Sequence, residues 1–193
     1  DLQVFESQSV AQEVMPQLAS GNFPSSTSLP KVSDSDHVPA LIAPTNQQLI
    51  TVTTDVLKIV IDPFGGDIVG AYLLEHLTKM HEDGGQPILL LQRTDNAEYI
   101  AQSGLIGGNA TDLSATERPL FTSTSYNYQL IEGDKNLNVD LIFYQGPVEI
   151  TKRFEFSSSD YRIGVRYIIN NLSEKPWSST FYGQIRRDSH QPN

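Results

Sequence analysis

The residues of this chain that could do chemistry are few and badly spaced for it. His76 and His81 stand among Glu75, Glu82 and Asp83, all metal-capable side chains. A separation of five does not stack two imidazoles on one helical face, as a separation of four would, and Gly84-Gly85 follow as a solvated turn. His37 lies in a polar stretch and His190 three residues from the end, each without an orienting partner, so both read as solvated. Ser103-Gly104 offers a hydroxyl, but no Gly-x-Ser-x-Gly elbow surrounds it, and the chain has no cysteine to act as a nucleophile. Gly65-Gly66 and Gly107-Gly108 lack the spacing of phosphate-binding loops and read as turn glycines. Asn109-Ala110-Thr111 and Asn171-Leu172-Ser173 match the glycosylation acceptor pattern, which is short enough to arise by chance. Trp177 follows Lys175-Pro176 in a loop. An exposed indole can anchor a partner, but more often it packs over a sheet edge. No catalytic, cofactor-binding or metal-binding residue is assigned, and no partner-binding position is specified.

The elements that would have to position such residues are strands. From Leu49 a polar-alternating strand runs to Asp62. Pro63-Phe64-Gly65-Gly66-Asp67 then breaks it, and an apolar strand follows through Ile68, Val69 and Ala71. Proline fixes one backbone angle and paired glycines admit positive φ, so the unit reads as strand, sharp reversal, strand. Further on, Leu137, Val139, Leu141 and Phe143 alternate with Asn138, Asp140, Ile142 and Tyr144. Ile150, Phe154 and Phe156 share a face opposite Thr151, Arg153 and Glu155, and Tyr161, Ile163, Val165, Tyr167 and Ile169 form another alternating set. A period of two puts one face on a core and the other in water. Turn chemistry at Glu132-Gly133-Asp134-Lys135-Asn136, Gln145-Gly146-Pro147 and Ser157-Ser158-Ser159-Asp160 separates the runs. Residues 126–170 are therefore expected to form an antiparallel meander of four strands. The stretch from Tyr72 to Met80 reads as either a strand end or a helical turn, and residues 102–124 as mostly loop.

Residues 1–48 differ in character. They hold five of the eleven prolines, and Ser20-Gly21-Asn22-Phe23-Pro24-Ser25-Ser26-Thr27-Ser28 is small, polar and aperiodic. Such a stretch buries too little apolar surface to offset its ordering entropy. It reads as a flexible tether or as a ragged terminus, with a short helix over residues 10–18. Over the whole chain 38% of residues are hydrophobic and the formal net charge is −10. A surface so acidic repels phosphate backbones, and the only adjacent basic pairs, Lys152-Arg153 and Arg186-Arg187, make no cluster, so nucleic-acid binding is not expected. Without cysteine there are no disulfides and no thiolate-held metals, a state that does not decide compartment. No apolar run approaches the roughly 20 residues a bilayer crossing needs, and Asp1-Leu2-Gln3-Val4-Phe5-Glu6 lacks the regions of a signal peptide. The chain as given is expected to be soluble.

Residues 49–74, from Thr54-Asp55-Val56-Leu57 through Gly65-Gly66-Asp67-Ile68 to Ala71-Tyr72-Leu73, resemble the opening of the large first periplasmic domain of the YidC membrane protein insertases, of the YidC/Oxa1/Alb3 family. Ala101-Gln102-Ser103-Gly104-Leu105, Arg118-Pro119-Leu120, Thr151-Lys152-Arg153-Phe154, Asp160-Tyr161 with Val165 and Tyr167, and Phe181-Tyr182-Gly183-Gln184-Ile185 continue the resemblance in order to about residue 187.

The resemblance implies an all-β fold, an antiparallel β-supersandwich similar to galactose mutarotase-like domains, of which residues 49–193 are the N-terminal part. It implies that residues 1–48 follow a transmembrane helix outside this chain, and that the domain stands on the periplasmic face of the bacterial inner membrane. It further implies a non-catalytic role accessory to membrane protein insertion, with no cofactor and with the Sec translocon auxiliary subunits SecDF as partners. A sandwich that ends at this point leaves strand edges open, which invites self-association. The alternative is a carbohydrate-binding or mutarotase-like domain, but likeness of fold does not transfer chemistry. A mutarotase needs an acid and a base converging on a sugar, and no histidine and glutamate are placed on adjacent strands by the pattern.

Overall fold

A computed structural model describes residues 48–79, 84–114 and 117–188; the expected tether over residues 1–48, save Gln48, and the helix over residues 10–18 lie outside them. The described residues form eleven strands joined by turns. These are β1 (Ile50–Thr53), β2 (Leu57–Asp62), β3 (Asp67–Leu77), β4 (Pro87–Arg93), β5 (Glu98–Ile106), β6 (Thr122–Ser123), β7 (Asn127–Gln129), β8 (Asn136–Gln145), β9 (Val148–Ser157), β10 (Gly164–Asn171) and β11 (Thr180–Arg187). Seven build one sheet in the order β11-β5-β4-β3-β2-β1-β7, and four build a second in the order β10-β9-β8-β6. All pairings are antiparallel except β1 with β7.

The two inner faces make one core. Ile50, Val52, Ile59 and Ile61 from the larger sheet join Val139, Leu141, Ile150, Phe154 and Phe156 from the smaller, each nearly or wholly excluded from solvent. Period-two alternation puts these residues on the covered faces, and removing each such side chain from water contributes about 1.5–3 kcal/mol. This is the all-β sandwich that the family resemblance implies, and the stretch after Tyr72 is strand as far as Leu77.

Two local expectations are corrected and a third is refined. The run from Leu49 to Asp62 is two strands, not one, because the Thr54 hydroxyl takes the amides of Val56 (3.3 Å) and Leu57 (3.0 Å) and folds the chain back on itself. The four-strand meander is three strands, β8-β9-β10. The segment before the Gly133 turn, β7, crosses instead to the larger sheet and runs parallel to β1, fixed by Thr51 N donating to Tyr126 O (2.8 Å) and Leu130 N to Thr53 O (2.8 Å). Alternation marks a strand without naming its partner, and β1 offers an open edge. Residues 102–124 are mostly loop, as expected, but 102–106 are strand. They lie in β5, which pairs along its length with β11, about eighty positions later, against the weak strand preference of Ser103 and Gly104.

Candidate functional site at the seam of the two sheets

The polar residues that the fold brings together are not those whose types stand out in the sequence. On β9 the inward phase runs Val148, Ile150, Lys152, Phe154, Phe156. Lys152 therefore points into the core, and its relative exposure is 0%. Its amine crosses to the larger sheet, donating to the carbonyls of Gly65 (3.0 Å) and Ser103 (2.9 Å). The rings of Phe154 and Tyr167 stand with centroids 5.5 Å from it. Tyr167 also donates its hydroxyl to Ser103 O at 3.2 Å.

Arg118 approaches the same two carbonyls from the connection after β5. Its Nη2 donates to Ser103 O (3.0 Å) and Gly65 O (3.3 Å), its Nε to Asp112 Oδ1 (2.6 Å), and its Nη1 to Asp67 Oδ2. Arg118, Asp67 and Asp112 side chains are each 5% exposed. Asp112 Oδ2 accepts the amide of Leu105 (2.9 Å), and Asp67 Oδ2 accepts from Gln102 Nε2 (2.7 Å), itself bonded to Gln184 (2.9 Å). Asp67 Oδ1 is buried with no hydrogen-bond partner among the described residues.

The glycine pair is shaped by these two cations. Gly65 and Gly66 take φ of +74° and +62°, a region costly for other residues. A Cβ on Gly66 would stand 2.8 Å from Lys152 Cδ, and one on Gly65 would strike the Arg118 guanidinium. The reversal read from Pro63 to Asp67 is thus also a cradle for two side chains.

Electrostatics follow from burial. Removal from water pushes the Lys152 amine down to about 7, and Arg118 pushes the same way, while Asp67 and Asp112 pull it up. Burial would also lower Arg118, but its bonds to Asp67 and Asp112 prevail and hold it above the ordinary arginine value. Burial raises Tyr167 and Tyr182 above the ordinary tyrosine value. An amine with no exposed surface cannot reach a substrate, so the cluster acts as a pin between sheets. Beside it lies a cleft of about 420 Å³ lined by Gly66, Ser103, Ile68, Phe154, Val165 and Phe181 among others, without histidine or carboxylate.

The residues singled out by type stay apart from this cluster. His76 is exposed at the end of β3, its ring 5.5 Å from that of Tyr161, whose hydroxyl donates to Glu75 (3.4 Å). His37, His81, Glu82, Asp83 and His190 lie outside the described residues. Among the described residues no three metal-capable side chains converge. Ser103 contributes its carbonyl, and Gly107 and Gly108 are turn glycines at φ +72° and +53°. Asn109 accepts from the amide of Ser178 (3.2 Å), distant in the chain, and Asn171 from that of Ser173 (3.0 Å), two positions on. Trp177 packs half-buried against the core and donates to Gln145 (3.0 Å). Arg153 faces outward to Asp140 (2.7 Å), and Arg186 to Glu98 (2.9 Å). Sequence reasoning passed over Lys152, Arg118, Asp67 and Asp112 as a unit. One signal was available: Lys152 occupies the apolar phase between Ile150 and Phe154.

Comparison with known proteins places this geometry in context. Residues 49–193 match the family model described as the YidC periplasmic domain. Among curated proteins, the membrane protein insertase YidC of Cellvibrio japonicus is 44% identical over 191 residues, covering 92% of this chain and 34% of that protein. That of Alcanivorax borkumensis is 43% identical over 162 residues (83% and 27%), and that of Azotobacter vinelandii 39% over 183 (93% and 32%). The chain spans about a third of the length of the curated relatives it matches.

Proposed function

The chain belongs to the YidC periplasmic domain family, and from that premise we propose that it is a non-catalytic body on the periplasmic face of a membrane protein insertase. In this reading it is accessory to insertion and offers a docking surface to the Sec auxiliary subunits SecDF, while residues 1–48 tether it to a membrane span. The match over residues 49–193 is the observation that carries the proposal. The sealed cluster supports the non-catalytic part, since its ionisable groups are engaged with one another or with backbone carbonyls. The relatives' shared name favours this reading over a sugar-acting one. The surface to test first is β11, the edge of the larger sheet, where Phe181 and Ile185 are 55% and 58% exposed.

A photocrosslinker at Phe181 or Ile185 in the intact insertase is expected to yield adducts with the Sec auxiliary subunits. Adducts with lipid alone, or none, would overturn the docking role. Conversion of a sugar by the purified chain would overturn the non-catalytic one. The same open edge supports pairing with a second copy, and solution scattering that fits one compact copy at high concentration would exclude it.

A further inference from the structure

A lysine in the apolar phase of a core strand must be satisfied in place or give up its proton, because an unpaired buried charge is costly. Lys152 is only partly satisfied. Its acceptors are the carbonyls of Gly65 (3.0 Å) and Ser103 (2.9 Å), both also taken by Arg118 (3.3 and 3.0 Å), and Ser103 O by Tyr167 too (3.2 Å). No carboxylate is hydrogen-bonded to the amine among the described residues; Asp67 and Asp112 are turned to Arg118, and Asp67 Oδ1 is left unpartnered. Two neutral N–H donors suffice for two carbonyls, whereas an ammonium carries three. Gly66 and Ser103 are also wall residues of the adjoining cleft, so widening that cleft would expose the amine to water.

We propose that the seam between β9 and the Gly65-Gly66 reversal is a proton-sensitive latch: a neutral Lys152 favours the closed, dry seam and a protonated Lys152 favours a widened, hydrated one. The groups facing the amine are Asp67 from β3, Asp112 and Arg118 from the connection after β5, and Tyr167 from β10, with Tyr182 of β11 behind them on Asp112 (3.5 Å). Arg118 stays charged and both tyrosines stay neutral between pH 7 and 10, their values being raised. With the amine near 7 when closed and near its ordinary 10.5 when wetted, the closed seam gains stability as pH rises through that window. The gain is lost as pH falls back to about 7, and below that there is no further change.

Lysines labelled with carbon-13 at Cε, titrated by NMR in the wild-type chain, are expected to show one resonance with a midpoint near 7 that is missing from Lys152→Met. Between pH 7 and 9.5 the wild-type folding constant, from urea unfolding, should climb by up to about tenfold per pH unit relative to Lys152→Met. Amide exchange over residues 64–67 and 102–105, corrected for its intrinsic pH dependence, should slow over the same range. If no lysine resonance has a midpoint near 7, or the Lys152 resonance titrates low while exchange in those segments is unchanged, the latch is refuted. If Lys152→Met does not fold, the titration and exchange of the wild-type chain decide the matter.

Discussion

Replacing Arg118 by methionine isolates what the guanidinium does in the seam. Methionine keeps most of the volume and removes the charge. Two carboxylates, Asp67 and Asp112, each 5% exposed, then lose their cation (at 2.6 Å in the case of Asp112) and keep only neutral donors, Gln102 on Asp67 and the Leu105 amide and Thr111 hydroxyl on Asp112. The carbonyls of Gly65 and Ser103 keep Lys152 as a donor, so the dominant loss is the stranding of two buried anions. Breaking a buried pair from one side costs about 3–5 kcal/mol, well above the roughly 1 kcal/mol of an ordinary hydrogen bond. With a urea slope of about 2 kcal/mol/M, the midpoint should fall by about 2 M. Urea unfolding followed by Trp177 fluorescence measures this directly. Asp67→Asn in the Arg118→Met background should recover part of the loss, by about 1–3 kcal/mol of coupling, because the stranded charge is gone. Arg118 also pushes the Lys152 amine down, so the Lys152 resonance should titrate higher in Arg118→Met. A variant within about 1 kcal/mol of wild type would refute the reasoning, since buried carboxylates cannot lose their counterion so cheaply.

Gly66→Ala should cost about 2–3 kcal/mol, combining a residue forced to positive φ with a Cβ 2.8 Å from Lys152 Cδ. In a Lys152→Ala background only the φ cost of about 1 kcal/mol should remain, measured by the same urea titration. Asp55 ties the β1–β2 turn to the β9–β10 turn by accepting from Ser159 N (2.7 Å), Ser158 Oγ (2.9 Å) and Ser159 Oγ (3.0 Å). Burial alone would raise its carboxyl, but those bonds hold it below the ordinary value, so its contribution is present above that value and is lost as pH falls through the lowered one. Asp55→Ala should therefore lower stability at neutral pH and flatten the acid limb of a thermal-melting profile. Trp177→Phe gives up the bond to Gln145 (3.0 Å) and should cost about 0.5–1.5 kcal/mol, read by circular dichroism because no other tryptophan remains.

Legibility in the sequence followed from the range of each interaction. Alternation through Val139, Leu141, Ile150 and Phe154 reports which face is covered, a local property, and those residues are in the core, although Tyr161, read in the same way, is exposed ahead of β10. The Thr54 turn was equally local but hidden, since a threonine inside an alternating run looks like a polar strand residue until its hydroxyl is seen to take two amides. The pairing of β5 with β11 and of β7 with β1 depends on partners distant in the chain, and nothing near Ser103 or Tyr128 encodes it. Residue type was the poorest guide. His76 lies exposed against a tyrosine, whereas Lys152, noted in the sequence only as half of an adjacent basic pair with Arg153, is buried. Their neighbours in the alternation separate the two basic residues: Arg153 falls in phase with Thr151 and Glu155, Lys152 with Ile150 and Phe154.

The segments that carry the family likeness meet at one place. Gly65-Gly66-Asp67, the strand around Ser103, Arg118, Lys152, Tyr167 and Tyr182 are scattered over more than a hundred positions, yet each supplies an atom or a facing ring to the seam. The charges there explain why the amine is poised rather than simply neutral. With Lys152 protonated, two cations balance Asp67 and Asp112, but an ammonium is buried without a bonded carboxylate. With Lys152 neutral that desolvation cost disappears, and one net negative charge is left among buried groups. The two costs oppose each other, which brings the amine to about 7 instead of removing its proton altogether. A group balanced in this way responds to small changes beside it. Anything that keeps water from Gly66 and Ser103 holds the amine in its dry setting and its proton off, so by linkage exclusion of water there and closure of the seam favour each other.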